Sequence, residues 1–200
     1  MRAWLLGLLA LLLAACGGPD HRLPHLAKGD VVLAFGDSLT YGTGAETGQS
    51  YPAQLQQLIG RTVVNAGVPG ETTAEGLVRL PEALDEYHPR LLLLCLGGND
   101  MLRHQDLAQT AENLRAMLRL ARQDGIDVVL IGVPEPKLFS GPPSFYADIA
   151  KQFGVPYEGA AFNDVLKNPK MKSDTVHANG IGYREVAERL AELLKGAGAI

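Results

Sequence analysis

Apolar residues in this chain fall into short continuous runs, separated by longer stretches in which they recur every three or four positions. The runs at 31–35, 62–65, 91–96 and 128–132 are bounded by Gly, Pro, Asn or Asp, which predicts strands. Between them, 51–59, 72–84, 106–122 and 181–194 keep their apolar residues on one side, as Leu107, Leu114, Met117, Leu118 and Ala121 do in the third, which predicts amphipathic helices. When strand and helix alternate, each crossover returns the chain to the same end of one sheet. The expected fold class is therefore α/β, a flavodoxin-like three-layer α/β/α arrangement with a central parallel sheet. Ligands of such sheets collect at the carboxyl ends of the strands, so reactive residues should follow the strands rather than precede them.

The amino terminus breaks this pattern. A basic Met1-Arg2 start leads into an apolar stretch through Leu13, too short to cross a bilayer, which reads as a secretory signal. It ends in Leu13-Ala14-Ala15-Cys16-Gly17, which resembles a bacterial lipobox; the alternative is an ordinary small-residue cleavage site that precedes a cysteine by chance. On the lipobox reading, residues 1–15 are a lipoprotein signal peptide and Cys16 is the lipidation site. Residues 16–29 are then a lipidated tether without apolar period, and 30–196 form one domain. The protein would be anchored to a membrane of the bacterial cell envelope, facing the periplasm or exterior. A lipidated Cys16 leaves no pair for a disulfide, and Cys95, inside the apolar run 91–96, reads as a core residue rather than a reactive thiol.

Composition narrows the partners. The chain is 46% hydrophobic and 20% charged with a formal net charge of -4, which suits one folded domain and provides no basic field for phosphate backbones. Nucleic acid is not an expected partner. No Cys/His cluster or His-Glu-x-x-His pattern occurs, so no metal is expected.

Candidate chemistry follows three of the predicted strands and precedes the last helix. Gly36-Asp37-Ser38-Leu39 follows the first strand, where the Asp-Ser pair reads either as a helix N-cap or as an exposed nucleophile. Asn65-Ala66-Gly67-Val68-Pro69-Gly70-Glu71-Thr72-Thr73 follows the second and Gly97-Gly98-Asn99-Asp100 the third; either segment alone is explained by turn chemistry. Asp174-Thr175-Val176-His177 stands before the final helix, and alone would be a solvated loop.

In this order, over 31–194, the blocks resemble the SGNH (GDSL) hydrolase superfamily, most closely its thioesterase I, lysophospholipase and arylesterase branch. The resemblance implies an SGNH hydrolase fold and a serine esterase acting on acyl esters, thioesters or lysophospholipids through an acyl-enzyme, without a cofactor. Carried over by motif, Ser38 is the nucleophile, His177 the base and Asp174 the acid, while Ser38, Gly70 and Asn99 form the oxyanion hole. Where the family commonly has proline after the histidine this chain has Ala178, which leaves that loop less constrained. His21 and His25 in the tether, with His88 and His104, lack a paired acid and read as solvated or structural.

The chemistry asks for these residue types. A hydroxyl needs a base to take its proton, the base needs a carboxylate on its other nitrogen, and the oxyanion needs donors already in place. Two alternatives stand beside this reading: a carbohydrate or peptidoglycan O-acetylesterase, and a non-catalytic flavodoxin-like binding lipoprotein using Gly36, Gly42 and Gly44 to hold a phosphate-bearing ligand. Leu138-Phe139-Ser140-Gly141-Pro142-Pro143-Ser144-Phe145-Tyr146 could line an acyl pocket or be a packed loop.

Overall fold

A strand buried on both faces has no polar position to spare, and β3 (Leu91–Cys95) is inaccessible along its whole length. In the computed structural model, which describes residues 21–136 and 141–200, it sits at the middle of a five-stranded parallel sheet of order β2-β1-β3-β4-β5. β1 (Val31–Gly36) pairs with both β2 (Thr62–Gly67) and β3, so Gly36 lies beside Gly67 on one side and Cys95 on the other. β4 (Asp127–Ile131) pairs with β3 and with the short β5 (Tyr157–Glu158). The direction of strand addition reverses at β1, and that switch point is where an open parallel sheet leaves a crevice at its carboxyl edge.

Helices cover both faces. α1 (Ser38–Tyr41) is one turn after β1. α2 (Tyr51–Ile59) packs on α8 (Gly180–Gly196), with α7 (Ala161–Lys167) beside it. On the other face α3 (Thr73–Tyr87) packs on α5 (Leu107–Gln123), flanked by α6 (Phe145–Phe153), while α4 (Gly98–Leu102) is a single turn after β3. The expected three-layer α/β/α fold is present. Each fully buried leucine of β3 contributes about 1.5–3 kcal/mol over leaving it in water.

Four differences from the sequence reading have physical causes. β5 has only Tyr157 and Glu158, too short to show a pattern; it exists because Leu130 and Ile131 offer a free edge. The helix expected at 72–84 runs on to Tyr87 through Pro81, with Thr72 as its N-cap in a capping box with Glu75. α6 takes up the last two residues of the segment read as an acyl-pocket wall, Phe145 and Tyr146, and runs on to Phe153, burying Tyr146, Ile149, Ala150 and Phe153 at helical spacing. The described part of the expected tether, 21–29, is docked: Leu23 and Leu26 are buried, and their N–H groups donate to the carbonyls of Ala197 and Ala199 at 2.9 and 2.8 Å. The folded unit thus reaches beyond the expected 30–196 at both ends. Two apolar side chains three residues apart were enough to seat a segment that has no helical or strand period.

This segment runs along the amino-terminal ends of the strands. Arg61, just before β2, donates to the Leu26 carbonyl at 3.0 Å, and His21 lies beside Gly154, just before β5. Everything reactive lies at the opposite pole.

Candidate active site

β1 ends in Gly36 because nothing larger fits: a Cβ there would overlap the Cys95 carbonyl and the Thr40 hydroxyl. The chain then turns at once into α1, with Asp37 as N-cap accepting from the Leu39 N–H at 3.0 Å and Ser38 as the first helical residue. The two sequence readings of the Asp-Ser pair fall on neighbouring residues, one capping and one presented to the cleft.

His177 reaches Ser38 from a loop 139 residues away in sequence. Its Nε2 is 3.0 Å from Ser38 Oγ and its Nδ1 is 2.8 Å from Asp174 Oδ2. The other Asp174 oxygen accepts the N–H groups of Val176 and His177, both at 2.8 Å. Partial burial works against ionisation of Asp174, but the hydrogen bonds from the His177 ring and these two N–H groups outweigh it and hold the carboxyl below its ordinary value. The loop is fastened without proline. Ser173 N–H donates to the His177 carbonyl and Asn179 N–H to the Met171 carbonyl, both at 3.0 Å, and fully buried Ala178 pairs with Lys172. Asn179 also caps α8 while its amide donates to the Lys170 carbonyl at 3.0 Å. The looseness expected from Ala178 is therefore not found, because backbone pairing does the restraining.

Gly70 and Asn99 come to the same cleft from β2 and β3. Gly70 has φ +84°, a conformation that favours glycine, and its carbonyl accepts from Arg103 Nη2 at 2.7 Å. Among the described residues no hydrogen bond claims the N–H of Ser38 or of Gly70. Asn99 Nδ2 donates to the Glu71 carbonyl at 2.9 Å and to Asp37 Oδ2 at 3.2 Å. Next to it, buried Asp100 accepts from the Thr73 N–H at 2.9 Å, the Thr73 hydroxyl at 2.5 Å and the Thr110 hydroxyl at 3.3 Å, tying α3, α4 and α5 together.

Ser38, Gly70, Asn99 and His177 all line one cavity of about 510 Å³, within the range of small-molecule sites. Leu102, Val133, Leu166 and Val176 give it an apolar wall; Glu135, Lys167 and Lys172 add charge. The expected wall at 138–146 is not where the described residues put it. Positions 138–140 lie outside the described residues, Phe145 stacks on Tyr146 at 4.5 Å, and Tyr146 is buried with its hydroxyl donating to the Leu96 carbonyl at 2.7 Å. The chain after β4, Val133–Pro136, and α7 stand there instead.

The remaining sequence candidates are placed elsewhere. Cys16 lies outside the described residues. Cys95 is fully buried, and burial pushes its thiol well above the ordinary range, with the Asp37 carboxylate adding to the shift. Gly42 ends α1 and Gly44 is pressed against Ser173 and Ala178, so neither is left to cradle a phosphate. His25, His88 and His104 are exposed. Sequence reasoning passed over Asp37 as more than a cap, the Glu71–Arg79 pair and Asp100. Of these, Asp37, Glu71 and Asp100 sit inside motifs that were legible, but the partners that give them their roles lie in other segments.

The model of the GDSL-like lipase/acylhydrolase family matches residues 34–185, which include all five residues that the motifs single out within the domain. Esterase TesA of Pseudomonas aeruginosa is 37% identical over 161 residues, 78% of this chain and 75% of the relative. Thioesterase 1/protease 1/lysophospholipase L1 of Escherichia coli is 32% identical over 180 residues, covering 84% and 85%. The crystal structure of TesA superposes with a TM-score of 0.76 at 30% identity, covering 84% of this chain and 99% of that one. Shared fold, shared blocks and a family match across most of the domain lead to one conclusion: this chain belongs to the GDSL-like lipase/acylhydrolase family, the SGNH hydrolases.

Proposed function

We propose that the protein is a serine esterase that cleaves acyl esters through an acyl-enzyme on Ser38. One observation carries this reading: Asp174, His177 and Ser38 form an unbroken hydrogen-bonded chain whose Ser38 and His177 line a largely apolar cavity. His177 Nε2 takes the Ser38 proton as Oγ attacks the carbonyl, and Asp174 on Nδ1 stabilises the imidazolium that results. The oxyanion is received by the N–H groups of Ser38 and Gly70 and by the Asn99 amide. His177 then returns the proton to the leaving alcohol or thiol, and water repeats the sequence on the acyl-enzyme.

Relatives named esterase, thioesterase and lysophospholipase support an acyl ester, thioester or lysophospholipid substrate. Leu102, Val133, Leu166 and Val176 favour an acyl chain over acetate, since each methylene they bury contributes about 0.8 kcal/mol. A fluorophosphonate probe should label the wild type and not Ser38→Ala. Across a p-nitrophenyl ester series, kcat/KM should rise from acetate to hexanoate; a preference for acetate would favour the O-acetylesterase reading.

The lipobox-like Leu13-Ala14-Ala15-Cys16 supports a lipid anchor at Cys16 and a place in the cell envelope. His21 follows Cys16 by five positions, a span of at most about 18 Å. Because His21 lies at the amino-terminal ends of the strands, this anchor would hold the domain by the pole opposite the cleft.

A further inference from the structure

Asn99 has two hydrogens on Nδ2, and both are already given away: one to the Glu71 carbonyl at 2.9 Å, the other to Asp37 Oδ2 at 3.2 Å. An oxyanion that needs this amide must take one of them. The Glu71 bond is the shorter one, and Glu71 is clamped through its side chain by Arg79. Asp37 lines the cavity together with Ser38, Gly98 and Asn99, whereas Glu71 does not, so the hydrogen on the Asp37 side is the one beside the reacting atoms. Gly98 permits this approach: a Cβ there would stand 3.3 Å from Asp37 Oδ2.

We propose that Asp37 is a positioning residue for the oxyanion hole, holding the Asn99 carboxamide in the resting enzyme and yielding one of its hydrogens to the oxyanion during attack. The proposal rests on the esterase reading above. Two anions competing for one N–H repel each other, so the yielding is easiest when Asp37 carries a proton. Burial pushes its carboxyl up to about 7, helped by the charges of Glu71 and Asp100 and opposed by the Leu39 N–H and by His177. Cys95, Tyr51, Tyr146 and Tyr183, the other titratable groups whose charge interacts with it, are all held protonated by burial. Oδ1 is engaged with Leu39, which fixes the carboxyl plane while Oδ2 faces Asn99.

The test is a double-mutant cycle with p-nitrophenyl hexanoate. Asp37→Asn keeps an oxygen for the Leu39 N–H but turns an NH2 group toward Asn99. It should lower kcat about 10–10²-fold, a part of the roughly 10²–10³-fold that Asn99→Ala causes, with KM changed less than about twofold. Placed on Asn99→Ala, it should cost nothing further. Asp37→Ser, which keeps a capping oxygen and removes the partner, should behave alike and covers the case of a misfolded Asn variant. An equal loss in both backgrounds would mean that Asp37 acts on Ser38 or His177, and an unchanged kcat would mean that it does not act; either overturns the proposal. Failure of the esterase reading is separable, because it would appear as undiminished hydrolysis by Ser38→Ala.

Discussion

Arg79 meets Glu71 at two points, Nε to Oε1 at 2.6 Å and Nη2 to Oε2 at 2.7 Å, with its guanidinium 3.9 Å from the centre of the Phe35 ring. This pair is far from being a surface ornament. Glu71 is buried, it is the residue after Gly70, and its carbonyl accepts from the Asn99 amide. Arg79 also donates to the Ala66 carbonyl at 3.0 Å, so one side chain gathers the end of β2 and the loop that carries Gly70.

Arg79→Met should therefore destabilise the fold and disturb the site together. Leaving a buried carboxylate without its cation typically costs about 3–5 kcal/mol. Arg79 is partly exposed, so the lower end is expected, read as a lowered midpoint in urea unfolding. Turnover should fall with it, while the double variant Arg79→Met with Glu71→Gln should recover part of the stability.

Asp174→Asn should cut kcat by about 10²–10⁴-fold with little change in KM, because the amide no longer fixes the imidazole tautomer or stabilises its charged form. The sign of the pH effect follows from the lowered Asp174 carboxyl. A depressed folded-state value adds stability that is present above the unfolded value of about 3.9 and is lost as pH falls through the folded one. Thermal unfolding of wild type minus Asp174→Asn should show a difference at neutral pH that shrinks below about pH 4. The group is half exposed, so the difference should be small.

Asp37 predicts the opposite slope. Its folded-state value is raised from 3.8 to about 7, so its contribution is fully present below the unfolded value and is lost as pH rises through the window from about 4 to about 7. The stability of wild type relative to Asp37→Asn should decline across that window and level off above it. A flat difference would show that the carboxyl ionises normally.

The docked segment 21–29 gives a prediction about access. With Cys16 lipidated in vesicles, the cleft should face away from the bilayer, separated from the anchored pole by a six-residue strand of roughly 20 Å. Anchored wild type and soluble Cys16→Ser should hydrolyse p-nitrophenyl hexanoate with equal kcat/KM. Lysophospholipid embedded in the same vesicles should be cleaved more slowly by the anchored form, and a 20-residue Gly/Ser insertion after Gly17 should restore the rate.

Leu23 and Leu26 illustrate where reading the chain alone fell short. Nothing periodic marks 21–29, and only partners distant in sequence, Arg61, Ala197 and Ala199, make a docked segment of it. Phe145–Phe153 is a different case: its apolar residues fall at helical spacing, but the reading of 138–146 as an acyl-pocket wall or a packed loop took in only its first two residues. Tyr157–Glu158 carries no local signal and owes its strand to a neighbouring edge.

The sequence by itself determined the alternation of elements and the parallel sheet they imply and, through the family its motifs resemble, singled out Ser38, Gly70, Asn99, Asp174 and His177 as candidates, because hydrophobic periodicity and short motifs are local properties of a chain. Tertiary structure alone decided that His177 meets Ser38 at 3.0 Å, that among the described residues Val133–Pro136 and α7 rather than 141–146 supply the wall of the cavity, and that both Asn99 hydrogens are committed before any substrate arrives. Those facts depend on distances between segments up to 139 residues apart, fixed by how the strands order and how the helices pack on them.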